Sequence, residues 1–279
     1  TAIIASAALG GRGKVVTIEN CGVAAARNLG ETESSELADF ILFLDADDVL
    51  APEMAQTLVA KLAGNDGARA AFCGLRFIDE NSRPVFPTKY DSRRTSRRGR
   101  ISYIDDDEAL TPFLSILEHA CMYPSNTVLR RSVLEATGGF DVDLGQPFED
   151  TDLYLRVALR GQVLFVDEKL AQYRRHATQS TASDERFSAQ QHRFFAKWRD
   201  LSRLPAADRR VVRAAWRRHD GVFTRTLGLR AARNAARRGN WRMTIRFTGG
   251  VVRALLRVAL SFPVGALDRL RSAPPRPDS

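Results

Sequence analysis

Apolar residues in the first 180 positions follow two patterns, short continuous runs and stripes spaced three or four residues apart. A continuous run predicts a strand buried on both faces, and a spaced stripe predicts a helix with one buried face. Strands are predicted at residues 15–18, 40–44, 70–78, 125–129 and 163–166. Helices are predicted at residues 22–29, 52–62, 132–137 and 148–160. This alternation is typical of an α/β fold, here with a mostly parallel sheet flanked by helices.

The chain changes character near residue 180. Beyond residue 183 the pattern is helical almost throughout, up to a Pro-rich end from about residue 272 whose composition is typical of disorder. Residues 1–180 carry a net charge of −6 and residues 181–279 a net charge of +15. We therefore expect a core at 1–180 that holds the chemistry and a basic α-helical C-terminal extension at 181–279.

Composition and cysteine usage narrow the class of protein. With 44% hydrophobic and 27% charged residues, the chain is globular rather than fibrous or disordered. Its three cysteines have neither CxxC nor metal-type spacing, which favours a reducing compartment over a disulfide scaffold. It has no signal-peptide pattern and no uncharged apolar run of about 18 residues, so we do not expect an integral membrane protein. The expected location is the cytoplasm.

A first cluster of acids, Asp45, Asp47 and Asp48, follows the predicted strand at residues 40–44. Ligands of open α/β sheets bind beyond the carboxyl ends of the strands. Three neighbouring carboxylates repel one another unless a cation or hydrogen-bond donors compensate, and Mg²⁺ often binds one or two carboxylates together with substrate phosphates. The cluster therefore predicts a metal–diphosphate site. The alternative is an acidic turn without function.

A second cluster, Glu149, Asp150 and Asp152, opens the predicted helix at 148–160. Acids in the first turn offset the helix dipole, and Asp152 has the spacing to pair with Arg156, so a purely structural role is one interpretation. The other is a general base, provided that one carboxylate reaches an attacking hydroxyl group.

Five short motifs occur in an order that resembles a known family. They are GVAAARNLG (22–30), FLDADD (43–48), GGFD (138–141), FED (148–150) and YRRH (173–176). In order and approximate spacing they are similar to family 2 glycosyltransferases, over roughly residues 15–180. DAD alone is common, whereas the five motifs together are specific. The resemblance implies a GT-A fold and inverting transfer of a sugar from a nucleotide-diphosphate sugar to a hydroxyl group.

On the donor side, the resemblance implies roles for five residues. Asp45 and Asp47 match the DxD pair, which binds the nucleotide sugar and a Mn²⁺ or Mg²⁺ ion. His176 matches a histidine that reaches the metal in many GT-A enzymes, so Asp47 and His176 are the implied metal ligands. Arg27 and Asn28 match the ARN motif packed near the nucleotide. The residues alone also allow solvated surface roles for His176 and Arg27.

On the acceptor side, the resemblance implies roles for four residues. Asp150 matches the second acid of the ED motif, the usual catalytic base, and Glu149 matches its partner near the acceptor. Gly138 and Gly139 match a loop that borders the acceptor. From the residues alone, the two glycines are equally a helix cap.

The beginning of the chain departs from the family pattern. Members normally begin with a hydrophobic strand, often followed by an aspartate that contacts the base. Residues 1–16 (TAIIASAALGGRGKVV) resemble the helix that comes after this strand. We therefore expect either a fragment or the product of a truncated gene, whose sheet would lack a central strand.

Arginines alternate with apolar residues between positions 238 and 260. On a helix, one side carries Arg238, Arg242, Arg246, Arg253 and Arg257. Such a helix can lie on the anionic inner face of the cell membrane, and many acceptors of the family are lipid-linked or cell-envelope glycans, which points to bacterial polysaccharide synthesis. The alternative is a helix packed on the core with its arginines in solvent. No nucleic-acid-binding motif is present, so no specific nucleic acid is expected.

Two other functions fit parts of the pattern. FLDADDVL also satisfies the motif of haloacid-dehalogenase-like phosphatases, in which Asp45 would be the nucleophile. That fold needs further loop residues, and the order of the ARN, GGFD and FED motifs fits the glycosyltransferase better. The second alternative is an inactive remnant whose basic end binds anionic surfaces.

Overall fold

The computed structural model describes residues 2–85, 113–114, 116–117, 122–176 and 184–223. The predicted basic helix at 238–260 and the predicted tail from about residue 272 lie outside these residues. By its contacts the chain divides into two compact units, Thr1–Val212 and Arg213–Ser279. The sheet and the candidate site belong to the first unit.

The described residues form seven α-helices and five strands. The helices are α1 (Ala2–Leu9), α2 (Val23–Thr32), α3 (Met54–Ala63), α4 (Arg131–Thr137), α5 (Glu149–Ala158), α6 (Asp184–Arg199) and α7 (Ala206–Phe223). The strands are β1 (Phe40–Leu42), β2 (Val49–Leu50), β3 (Ala68–Ile78), β4 (Thr127–Arg130) and β5 (Gln162–Arg174). Short 3-10 turns occur at Pro124–Asn126 and Leu201–Arg203. None of the described helices is long and apolar enough to cross a membrane.

The five strands form one sheet in the order β1-β4-β3-β5-β2. The α/β class is confirmed, but the expectation of a mostly parallel sheet is wrong. Among the described strands only β3 and β5 pair in parallel, whereas β1–β4, β3–β4 and β2–β5 are antiparallel. β4 is inserted in reverse between β1 and β3. Apolar periodicity marks a strand but carries no information about its direction, so the sequence could not reveal this insertion.

The predicted strand at residues 15–18 is also corrected, because this segment is not in the sheet. A strand needs a neighbour that satisfies its backbone N–H and C=O groups, and no described strand pairs with this segment. Its apolar side chains accordingly lie open, with Val16 43% and Ile18 41% exposed.

The core beneath α3 confirms the predicted helix stripe. Met54, Leu58 and Leu62 recur every fourth residue and are fully buried. They pack on small side chains of β3, such as Ala71 and Cys73, and on residues of β4 and β5. Burial of apolar area contributes about 25 cal/mol per Å² removed from water, and burial of this face therefore stabilises α3 on the sheet. The sheet in turn fixes the ends of β1 and β5, which carry the candidate site.

Candidate active site

The first acid cluster forms a tight turn after β1 that two other segments hold in place. The Asp48 N–H donates to the carbonyl of Asp45 (3.1 Å), which closes the turn. The Asp45 N–H donates to the hydroxyl of Ser125 (3.1 Å). At the end of β5, the Arg174 N–H donates to Asp48 (2.9 Å) and its Nε donates to the carbonyl of Asp47 (2.8 Å). The orientation of the acids is therefore set by the sheet rather than by a free loop.

The three acids of this turn differ in their surroundings. Asp48 points inward, and burial raises its pKa to about 6. The side chains of Asp45 and Asp47 are 32% and 40% exposed, so both are open to solvent. The DxD match leaves Asp48 out of the donor site, and its hydrogen bond from Arg174 of β5 assigns it to the support of the turn.

Asp47 lies beside His176, two residues beyond the end of β5. The distance between His176 Nε2 and Asp47 Oδ2 is 3.1 Å. A carboxylate oxygen and an imidazole nitrogen that converge at a half-exposed position fit a divalent cation that also binds substrate phosphates. No group of three or more His, Cys, Asp or Glu side chains in the described part of the chain could hold a metal ion alone. Asp47 and His176 therefore suit a metal site in which the bound substrate supplies the remaining ligands.

Arg27 of α2 joins the first acid cluster to the second. Its guanidinium donates from one nitrogen to Asp45 (2.6 Å) and from another to Glu149 (3.0 Å). It also lies over the ring of Phe140, 5.2 Å from the centroid, and its side chain is only 9% exposed. One acid of each cluster, separated by about a hundred residues in the chain, is thus bound by the same guanidinium group.

The second acid cluster begins α5. Asp150 accepts hydrogen bonds from the backbone N–H (2.5 Å) and hydroxyl (3.2 Å) of Thr151. Burial raises the pKa of Asp150, and burial followed by repulsion from Asp150 raises the pKa of Glu149 to about 8, although Arg27 opposes the shift. Glu149 Oε2 is buried and has no hydrogen-bond partner among the described residues. Burial and the neighbouring Asp150 thus favour the protonated form of Glu149, whereas Arg27 favours the ionised form.

Asp152 has a different role from its two neighbours. It is fully buried, and its Oδ2 accepts from Arg156 Nε at 2.9 Å. The Asp152–Arg156 pair that the spacing predicted is therefore confirmed. Asp152 is bound by Arg156, whereas Glu149 is bound by Arg27.

Gly138, Gly139 and Asn28 lie where the end of α4 meets α2. Gly138 (φ 78°) ends α4, as predicted from its helix-stop pattern, and Gly139 follows with φ 67°. The Asn28 side chain donates to the carbonyl of Phe140 (2.9 Å) and accepts from its N–H (2.7 Å). A Cβ at Gly139 would lie 2.6 Å from Asn28 Oδ1, so only glycine fits there. The predicted donor and acceptor roles of these residues stay predictions.

Three contributors to the site were not singled out from the sequence. Ser125 holds Asp45, Phe140 lies beneath Arg27, and Arg174 holds the acid turn. The motifs GGFD and YRRH pointed to the segments of Phe140 and Arg174, whereas nothing near Ser125 carried a signal. A cavity of about 290 Å³ adjoins the start of α2 and is lined by Asn20–Ala24, Val142, Gly145 and Gln146.

Comparisons with known proteins place the chain in a family. Residues 13–210 match the family model described as Glycosyltransferase like family 2. The structure of S. aureus TarS 1-349 in complex with UDP-GlcNAc is similar with a TM-score of 0.52 and 16% identity, over 92% of this chain and 70% of that one. A mannosyltransferase from Pyrobaculum calidifontis, solved with GDP-Man and Mn²⁺, has a TM-score of 0.47 and 16% identity, over 92% and 60% of the two chains. The comparison with curated proteins gave no match.

Proposed function

We propose, since this chain belongs to glycosyltransferase like family 2 and is a glycosyltransferase, that it moves a sugar from a nucleotide-diphosphate sugar to an acceptor hydroxyl with inversion of configuration. The observation that carries the proposal is the bridge of Arg27 between Asp45 and Glu149. It brings the turn of the first acid cluster next to the start of α5, and this closeness supports a shared site for the donor and the base, which a single displacement needs.

On the donor side, Asp47 and His176 would hold a Mn²⁺ or Mg²⁺ ion together with the diphosphate. When bound, the ion stabilises the negative charge that grows on the leaving diphosphate. The 3.1 Å distance between the two side chains and their partial exposure support this assignment. Asp45 and Arg27 are positioned beside this turn to orient the donor, and Arg27 brings a fixed positive charge to the cleft.

On the acceptor side, Asp150 would accept the proton of the attacking hydroxyl group. Its raised pKa supports this role, because a base is most effective when its pKa lies near the working pH. The hydrogen bonds from Thr151 hold one oxygen and fix the carboxylate. The oxygen of the acceptor attacks the anomeric carbon opposite the diphosphate, the proton passes to Asp150, and the configuration inverts without a covalent enzyme intermediate.

Glu149 would serve the acceptor as a neutral group. With a pKa raised to about 8 and a buried Oε2 that has no hydrogen-bond partner among the described residues, it would form a hydrogen bond with an acceptor hydroxyl. Gly138 and Gly139 shape the loop on the same side.

The acceptor class and location rest on the sequence. We propose a glycan or lipid-linked acceptor of cell-envelope or extracellular polysaccharide synthesis, reached at the inner face of the membrane. The net charge of +15 over residues 181–279 supports contact with an anionic surface, and the arginines at 238–260 supply its basic side.

Metal-dependent donor binding tests the donor half of this proposal. In calorimetry with UDP-GlcNAc and GDP-mannose, we expect one donor to bind the wild type with Mn²⁺ and much more weakly with chelator. Asp47→Ala should lose most of this dependence, with about tenfold or greater weakening in the presence of Mn²⁺, because one of two protein ligands is gone. Asp167→Ala, which removes an exposed acid of β5, should bind like the wild type. Equal Mn²⁺ dependence in Asp47→Ala and the wild type would contradict the assignment.

A further inference from the structure

We infer that helix α6, which belongs to the basic extension by sequence, positions the catalytic acids through Phe194 and Trp198. The inference rests on the proposed function of Glu149 and Asp150. These two acids occupy the first turn of α5, and α6 contacts the residue just before them and a residue just after them. Phe194 and Trp198 touch no reacting atom and are positioning residues.

The contact before the acids is an aromatic stack. Phe148 precedes Glu149 and has a left-handed backbone, with φ at 100°. A bulky residue adopts this conformation only when its surroundings hold it there. The ring of Phe148 stacks on Phe194, with centroids 5.1 Å apart and planes at 23°. Phe194 is 2% exposed, so the stack is part of the interior. α6 thus fixes the direction in which the chain enters α5.

The contact after the acids is a buried polar cluster. Trp198 Nε1 donates to Asp152 Oδ1 at 2.9 Å, and Lys197 Nζ lies 2.8 Å from the same oxygen. Asp152 has no exposed surface, so these partners from α6 and Arg156 from α5 are needed to keep its charge satisfied. Lys197 Nζ also lies 2.5 Å from Asp141 in the loop that leads to α5. α6 thus holds the far side of the same turn.

Because both flanks of Glu149 and Asp150 are held by one helix, their placement depends on how α6 packs. Catalytic groups lose rate steeply when displaced by about 1 Å, whereas Asp47 and His176, the proposed metal ligands, lie outside this turn. We therefore expect a substitution that weakens the packing of α6 to slow the chemical step and to leave the affinity for the donor unchanged.

The test combines amide hydrogen exchange and kinetics on Trp198→Phe and Phe194→Leu in the full chain. Trp198→Phe keeps a ring against Phe113 but removes the donor to Asp152. We expect faster exchange in peptides that cover 148–156, and kcat for UDP-GlcNAc or GDP-mannose turnover lower by roughly 10- to 100-fold with the donor KM within about twofold. Phe194→Leu should act in the same direction.

Leu58→Val is the matched control. Leu58 lies in a core cluster whose buried members come from α3, β3, β4 and β5, so this variant lowers stability away from α6. It should leave exchange over 148–156 and kcat unchanged. Unchanged exchange over 148–156 in both α6 variants, or an equal increase in Leu58→Val, would overturn the inference. If neither donor is turned over by the wild type, the proposed function fails while the exchange comparison still decides the positioning role.

Discussion

The Asp150→Asn variant is expected to bind the donor like the wild type and to transfer sugar on the order of a thousandfold more slowly. The carboxamide has the size of the carboxylate and can still accept the two hydrogen bonds from Thr151, so the turn keeps its geometry. It cannot take a proton from the acceptor hydroxyl. The measurement is kcat from nucleotide release, with donor affinity measured by calorimetry on the same protein.

Asp143→Asn is the control for this variant. Asp143 is an exposed acid in the loop before α5, seven residues from Asp150. The control removes one negative charge from the same region and should keep wild-type turnover. Near-wild-type kcat in Asp150→Asn, or a matching loss in Asp143→Asn, would remove Asp150 from the role of base.

The second large effect is expected for Arg27→Met, in stability as well as in activity. Arg27 is 9% exposed and Glu149 is 3% exposed, so the variant leaves a buried acid without its cation. Breaking such a pair costs about 3–5 kcal/mol when the remaining group stays charged. Because Arg27 also orients Asp45, donor affinity should fall together with the free energy of unfolding.

The loss in Arg27→Met should grow with pH. In the folded wild type the pKa of Glu149 is about 8, above its ordinary value of 4.5. The folded state therefore holds a proton that the unfolded state releases, and this group lowers stability as pH rises between these values. Arg27 favours the ionised form, so its removal raises the pKa of Glu149 further. The cost should be about 3 kcal/mol or more at pH 9 and about half of that at pH 6, where Glu149 is protonated in both proteins.

Arg131→Met provides the comparison for the pH series. Arg131 is 12% exposed and binds Glu31 (2.8 Å) and the carbonyl of Ala38 (2.8 Å), which precedes β1, whereas Asp45 follows β1. Its acid partner is 22% exposed and keeps contact with solvent. Urea unfolding should therefore show a loss of stability that changes little between pH 6 and pH 9. A flat pH dependence in Arg27→Met as well would show that Glu149 is not the group that titrates.

Much of the fold could be predicted where the spacing of apolar residues along the chain fits a single type of element. Met54, Leu58 and Leu62 recur every fourth residue and therefore lie on one face of a helix. This spacing predicted α3 and its buried face. The apolar run that ends at Asp45 predicted a strand with acids at its carboxyl end, which the turn after β1 confirms. Both depend on neighbours within a few residues.

The parts that could not be predicted depend on distant partners. The reversed insertion of β4, the exclusion of residues 15–18 from the sheet and the bond between Ser125 and Asp45 are properties of contacts between remote segments. Asp152 had two interpretations in the sequence, and the structure selects the structural one through Arg156 and Trp198. The Trp198 contact also shows why charge and helix pattern alone could not define where the catalytic region ends.

We expect a donor to lie between the Asp47–His176 pair and Asp150. The most direct measurement is anomalous diffraction at the manganese edge, from crystals of the Asp150→Asn variant grown with a nucleotide-diphosphate sugar and Mn²⁺. We expect a manganese peak in contact with Asp47 and His176, with the sugar facing residue 150. A donor bound with its manganese away from Asp47, or with its sugar turned away from residue 150, would contradict it.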